Sequence, residues 1–336
     1  MSKINAVLAS AVFLVSGLCC VGGTAAQASS TLATPEVKLT TEDFSWLRGR
    51  FPDSPEKEQL EWRALKNWSD QQVAKRTAAI EKDLQKVGVS QTAVVDQRRY
   101  TDDISALIDN ADDAAGNFKT WSEFQATFVE ARFLFSAYLA ACKAAEDVTR
   151  VSNDAPLRDR LRAAVVGEQV LRSGLHWKIP LRDTTAPTAD KVSLVFDVLL
   201  WSEISQRDHE NTRLIKQIIA NSGWPSISSV GQDASEDAWL LVQHADDDPV
   251  FQLQVLRLIG PLIATNEVAP QSYALLSDRV SLKISGTQRY GTQLSCVGGH
   301  YVPNGLEGPS RVNERRKALG MKPLEQYEKQ FPASCH

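Results

Sequence analysis

Apolar side chains recur at steps of three and four along most of this chain, and that period dictates helices. Between Glu56 and Val87 the apolar positions are Leu60, Trp62, Leu65, Trp68, Val73, Ile80, Leu84 and Val87, with Gly88 as the stop. Short helices are expected at 41–50 and 101–110, and a long one runs from Phe118 to Val151. Another starts near Pro156 and ends near Leu175, and Lys191 to Asn221 is again long. No strand-like alternation stands out in the first half. The expected fold is all-α, a multi-helix orthogonal bundle, with a short strand pair near 286–302.

The second half is punctuated. Gly223 stops a helix, and Trp224-Pro225 cannot continue it, because proline lacks the amide donor and restricts the residue before it. Asp233 and Glu236 have capping-box spacing, so Asp233 is expected to open the next helix. On that helix Ala238, Leu241, Val242 and Ala245 form the buried stripe, Trp239, Gln243 and Asp246 one flank, and His244 the other. Asp248-Pro249 has the form of an N-cap followed by a first-turn proline. The helix it starts is apolar almost all round, hence internal, and Pro261 should interrupt it. Further helices are expected at 270–284, 312–319 and 324–330.

Residues 1–28 have the form of a leader: Lys3, an apolar run from Ala6 to Val21, and Ala26-Gln27-Ala28 as the cleavage pattern. The run is short for a transmembrane span. A periplasmic or secreted protein is expected, with a helical region at 29–155, a motif-bearing helical domain at 156–331 and a tail at 332–336. Removing the leader takes away one positive charge, so the formal net charge of −4 becomes −5. An acidic protein of this kind has no electrostatic reason to bind nucleic acid. A small polar ligand or an envelope component is the expected partner.

Four polar-aromatic clusters separated by apolar helices point to a site: Gly223-Trp224-Pro225, Gln243-His244-Ala245-Asp246, Asp278-Arg279 and Gln288 to Gln293. His244, Asp278, Arg279 and Tyr290 are the candidate catalytic groups. Asp208, Asn211, Trp224, Gln243, Gln288, Thr292, Gln293 and Arg315 are the candidate ligand contacts. A histidine beside carboxylates can serve as acid or base near neutral pH; a helix-end histidine bonded to a carbonyl is the plainer alternative. Asp278-Arg279 also fits an ion pair that serves the fold. Gln288 to Gln293 supplies donors and acceptors suited to a sugar or peptide, and it would equally hold its own loop in place.

No pair of ligands at metal-binding helix spacing occurs around His244, and Asp246, Asp247 and Asp248 are accounted for as caps at a helix junction, so neither a metal nor another cofactor is expected. A serine nucleophile lacks its Gly-x-Ser-x-Gly turn. Two function classes stay open: a hydrolase or transferase acting on a polar envelope substrate, and a non-catalytic binding module.

These clusters, with Val230-Gly231, Val280, Asn313-Glu314-Arg315-Arg316, Leu319-Gly320 and Tyr327, resemble the domain-of-unknown-function family 6624 of exported bacterial proteins. The resemblance spans about residues 160–330. Where that family often has Asp-Gln ahead of an arginine, this chain has Glu168-Gln169 ahead of Arg172, a mild departure that weakens a catalytic assignment at 168. The resemblance implies a domain and a residue set, not a reaction.

After the leader, Cys142, Cys296 and Cys335 remain. Cys142 lies in an apolar helical run and is expected to be buried and free. Cys296 and Cys335 lie in loop-like contexts of a chain bound for an oxidising compartment, so they are expected to pair. Closing that loop should add about 3–4 kcal/mol of stability. Mass spectrometry of non-reduced, exported protein should recover the two cysteines in one linked peptide, and unlinked peptides refute the pairing.

Overall fold

The computed structural model describes residues 39–89, 100–176 and 187–332; the leader and Cys335 lie outside them. A 3-10 turn, Ser45–Arg50, leads into α1, Glu56–Lys86. Then follow α2 (Asp103–Ala115), α3 (Trp121–Thr149), α4 (Leu157–Arg172) and α5 (Pro187–Ser222). The second half holds α6 (Ile227–Val230), α7 (Gln232–Gln243), α8 (Pro249–Ile259) and α9 (Pro270–Ser285). A two-stranded hairpin of β1 (Leu294–Val297) and β2 (His300–Pro303) precedes α10 (Val312–Ala318) and α11 (Leu324–Glu328). The fold is mostly helical, as the period requires.

Local chemistry sets the ends of these elements. Asp102 and Thr120 cap α2 and α3 by accepting from Ser105 N at 2.8 Å and Glu123 N at 3.2 Å. Asp248 accepts from Phe251 N at 2.8 Å, with Pro249 in the first turn, as the junction sequence predicts. α8 stops at Ile259, and a 3-10 turn, Gly260–Thr265, carries Pro261. The capping-box expectation differs from the structure: α7 begins at Gln232 behind Gly231, whose φ of 88° no other residue type adopts easily, and Asp233 lies inside the first turn. In the hairpin Leu294 pairs with Pro303 and Val297 with His300. Its two-residue turn is Gly298-Gly299, at φ 58° and 81°, the backbone that a tight hairpin turn needs.

Two apolar cores result. The first gathers Phe44, Trp46, Phe51, Trp62, Phe118, Phe124 and Phe128 around the first half of α5, where Val195, Phe196, Leu199 and Ile204 are buried. The aromatic residues of α1 and α3 are thus packing residues, apart from Phe133, which is exposed. The second core takes Leu161 and Val165 from α4, Ile215 and Ile218 from α5, and the apolar faces of α7, α8 and α9. α4 and α5 therefore pass from one core into the other. α5, with 36 residues, is about 54 Å long at helical rise, enough to serve both. Cys142 is buried and free, and Cys296 is disulfide-bonded. No helix among the described residues is long and apolar enough to cross a membrane.

Asp197, on the first half of α5, is half-buried, and burial alone pushes its carboxyl from 3.8 up to about 6. Its folded value exceeds its unfolded one, so its contribution to stability is complete below about 4 and lost as pH rises through about 6. Asp197→Asn should match the parent in urea unfolding at pH 4 and exceed it at pH 7. Equal midpoints at both values refute this.

A buried charged centre at the junction of the cores

Where α4 passes from Val165, in the second core, to Leu171, in the first, it carries Glu168 and, at its last position, Arg172. They are four residues apart and so lie on one face. α5 carries Asp208 and Asn211 between Ile204 and Ile215, at the same crossing. Arg172 ties the two helices together: Nε donates to Glu168 Oε1 at 2.9 Å, and Nη2 to Asp208 Oδ1 and Oδ2 at 2.6 and 2.5 Å. Asn211 Nδ2 lies 3.4 Å from Glu168 Oε2.

His244 closes the end of α7 with φ −91° and ψ 1°, a sparsely populated backbone region in which many active-site residues are found. Its Nδ1 bonds to Glu168 Oε1. Burial pushes the imidazole below its usual value, Arg172 and Arg279 add to that, and Glu168 pulls the other way. Burial also opposes the Glu168 charge, but His244 and Arg172 outweigh it and hold that carboxyl below the usual range. Asp208 is pushed up, by burial first and then by the Glu168 and Asp246 charges, against the pull of Arg172.

Asp246, two residues beyond His244, forms the next layer. Arg279 of α9 donates to both its carboxylate oxygens, through Nε at 2.8 Å and through Nη2. Lys283, one turn on, donates to its backbone oxygen. Burial opposes the Asp246 charge, and Arg279 and Lys283 overcome it, so this carboxyl stays ionised. Gln252, fully buried on α8, donates through Nε2 to Val242 O and Gln243 O, both at 3.1 Å, and lies 3.4 Å from Asp246 Oδ1. Three carboxylates thus face three cations, with His244 at the edge.

The remaining predicted residues form a second polar assembly. Asp278 is fully buried, and its carboxylate accepts from the amides of Arg289, Tyr290 and Thr292 at 2.8 to 3.1 Å and from the Thr292 hydroxyl at 3.0 Å. Gln288 Nε2 donates to Gln293 O and Asn304 O, and its Oε1 accepts from Gln293 N at 2.9 Å. Gln293 Nε2 reaches the Thr292 hydroxyl. Arg315 donates to Arg289 O at 2.7 Å and to Glu307 O. The completely buried Arg316 donates to Tyr290 O at 2.6 Å. Gly291, at φ 67°, faces Leu324, whose Cδ1 would lie 2.9 Å from an added Cβ. Close approach there is by this chain's own α11.

The structure therefore brings Asp208, Asn211, His244 and Arg279 together and sets Asp278, Gln288, Thr292, Gln293 and Arg315 around a loop, with Tyr290 half-buried on it. Trp224 is packed in the second core, and Gln243 is buried at the end of α7. Adjacent residues point differently: Asp278 serves the loop and Arg279 pairs with Asp246, so they do not form the ion pair that their adjacency suggested. Of the three junction aspartates only Asp248 is a cap. Sequence reasoning named Arg172 and Asp246 only within motifs, counted against Glu168, and missed Gln252 and Lys283. A glutamine in an almost wholly apolar helix was the available signal for Gln252, though Gln254 on the same helix is exposed.

Glu168, Asp208 and His244 each bring one potential ligand atom within 4.8 Å of the others. That arrangement does not fit a metal ion, because the Arg172 guanidinium already bonds both carboxylates.

Fold and contacts define a mostly helical protein with a buried, charge-balanced centre where two cores meet. Residues 197–333 match the model of a family of unknown function (DUF6624), the family that the sequence motifs resemble. The matched stretch starts within α5, so Glu168 and Arg172 complete the centre from outside it. Neither the curated proteins nor the solved structures contain a match to the chain.

Asp278→Ala should strip the loop of its anchor and strand three buried amides, destabilising by about 3 kcal/mol or more. Urea unfolding gives the magnitude. Hydrogen exchange at Arg289, Tyr290 and Thr292 should accelerate ahead of α7 and α8. Unchanged protection at those three amides contradicts the anchoring role.

Proposed function

We propose that Glu168 and His244 form a general acid–base dyad in a hydrolase or transferase that acts on a small polar substrate of the cell envelope. One observation carries the reading. The His244 ring is held through Nδ1 by a buried carboxylate, and its Nε2 has no hydrogen-bond partner among the described residues. A carboxylate on one imidazole nitrogen fixes the tautomer and leaves the other nitrogen to take a proton. Desolvation keeps the ring neutral at pH 7, the state a base needs. Arg172 keeps Glu168 ionised, so the orienting bond persists across the neutral range. The envelope location rests on the leader pattern of residues 1–28.

A second reading also has an observation behind it. Gln288 and Gln293 are engaged in bonds within their own loop and Thr292 is bonded to Asp278, which suits a rigid recognition surface as well as an active site. In that reading the loop presents Tyr290 and Arg289 to a partner and no turnover occurs.

Screening the exported protein for thermal stabilisation by envelope sugars, peptides and nucleotides supplies the ligand. With that ligand, His244→Ala should cut kcat by about a hundredfold or more, while the protein remains folded. The rate should fall on acidification through a value below 6.5. Glu168 raises the His244 pKa, so Glu168→Gln should move that limb to still lower pH. Turnover that survives His244→Ala rules out the dyad, and binding without turnover favours the recognition module.

A further inference from the structure

We propose that Asp103, His209 and Asp247 bind one divalent transition-metal ion of the Zn2+ or Mn2+ kind. The three residues come from separate elements: the first turn of α2, the middle of α5 and the α7–α8 junction. Each offers one ligand atom within 4.8 Å of the other two. His209 Nδ1 and Asp247 Oδ2 are 3.8 Å apart. That is too far for a hydrogen bond, yet it suits two ligands held at about 2.0–2.2 Å from a shared ion.

Asp103 provides the independent pointer. It is only 4% exposed. Ser205 Oγ, at 3.2 Å from Oδ1, orients the carboxylate, while the buried Oδ2 has no hydrogen-bond partner among the described residues. An orphaned carboxylate oxygen in such a place is costly unless something meets it. Burial, and then the Asp247 charge, push Asp103 up to about 8, and burial pushes Asp247 up to about 6. A divalent cation between them relieves both.

The contrast with the first centre is direct. There Arg172 bonds both carboxylates. Here no lysine or arginine among the described residues forms an ion pair with the Asp103 or Asp247 carboxylate. The nearby Arg76 donates to the Asp247 backbone oxygen instead, at 3.1 Å. A groove of about 700 Å³ between α1, α5 and α8 has Asp247 and Arg76 in its lining, so one of the three ligands borders open space. One imidazole with two carboxylates suits a borderline transition ion, whereas Ca2+ takes more oxygen ligands than this set supplies.

The test uses the full exported chain after chelator treatment and dialysis. Titration calorimetry with Zn2+, and spin resonance with Mn2+, should each report one ion per chain. Asp103→Asn and Asp247→Asn keep side-chain shape, and circular dichroism checks their fold. Each should weaken binding by about tenfold or more, and His209→Ala should do the same. Glu168→Gln should leave the affinity unchanged. No binding at millimolar ion overturns the proposal. So does binding indifferent to Asp103→Asn and Asp247→Asn, or binding lost in Glu168→Gln alone.

Discussion

Arg172 is the interaction on which the two halves of this structure depend. Its guanidinium holds Glu168 on its own helix and Asp208 on α5, where both helices leave one apolar core and enter the other. Desolvating two carboxylates there is expensive, and a planar fork of donors is the side chain that can answer both at once. Loss of one partner from such a group strands a charge, at a cost of about 3–5 kcal/mol. Once α4 and α5 are pinned in this register, Glu168 can reach His244 at the end of α7. The Asp246–Arg279 pair then fastens α9 to the same junction. Charge balance, three carboxylates against three cations, is what permits so many ionisable groups between two apolar cores.

The helices were legible in the sequence because their signal is local. Apolar steps of three and four, Pro249 after Asp248, and Gly223 as a helix stop each act within a turn or two. α1, α3 and α5 came out close to their expected limits for that reason. The strand pair was harder. Leu294–Val297 and His300–Pro303 are four residues each and show little alternation. Only Gly298-Gly299 announces the turn between them.

The site was legible as a set of residues and illegible as a set of contacts. Glu168 and His244 are 76 positions apart, and Asp246 and Arg279 are 33 apart. Nothing in spacing tells which carboxylate meets which cation. Asp278-Arg279 shows the difficulty best. Neighbours on a helix diverge by about 100°, so one turns to the loop and the other to Asp246. The same divergence separates Asp208 from His209 on α5, and in the turn between α7 and α8 Asp246 and Asp247 also face different partners. In both pairs the first residue belongs to the Arg172–Arg279 centre and the second to the Asp103 cluster.

That alternation has a consequence for how the chain divides. The family match covers 197–333, yet the His244 imidazole is oriented by a carboxylate from α4, and His209 and Asp247 face an aspartate from α2. Both polar clusters are therefore completed by residues that precede the match. Helices α2 and α4 supply the groups that set the electrostatics of α5 and the α7–α8 junction. A fragment beginning at α5 would keep the loop around Asp278 and its anchors, since every donor to that carboxylate comes from 289–292. It would lose Glu168, Arg172 and Asp103 together. Asp208 would then lose its guanidinium partner, with Arg279 still held by Asp246, and His244 would have no carboxylate to fix its ring. The preceding helices are part of the site's chemistry and not only a support for it.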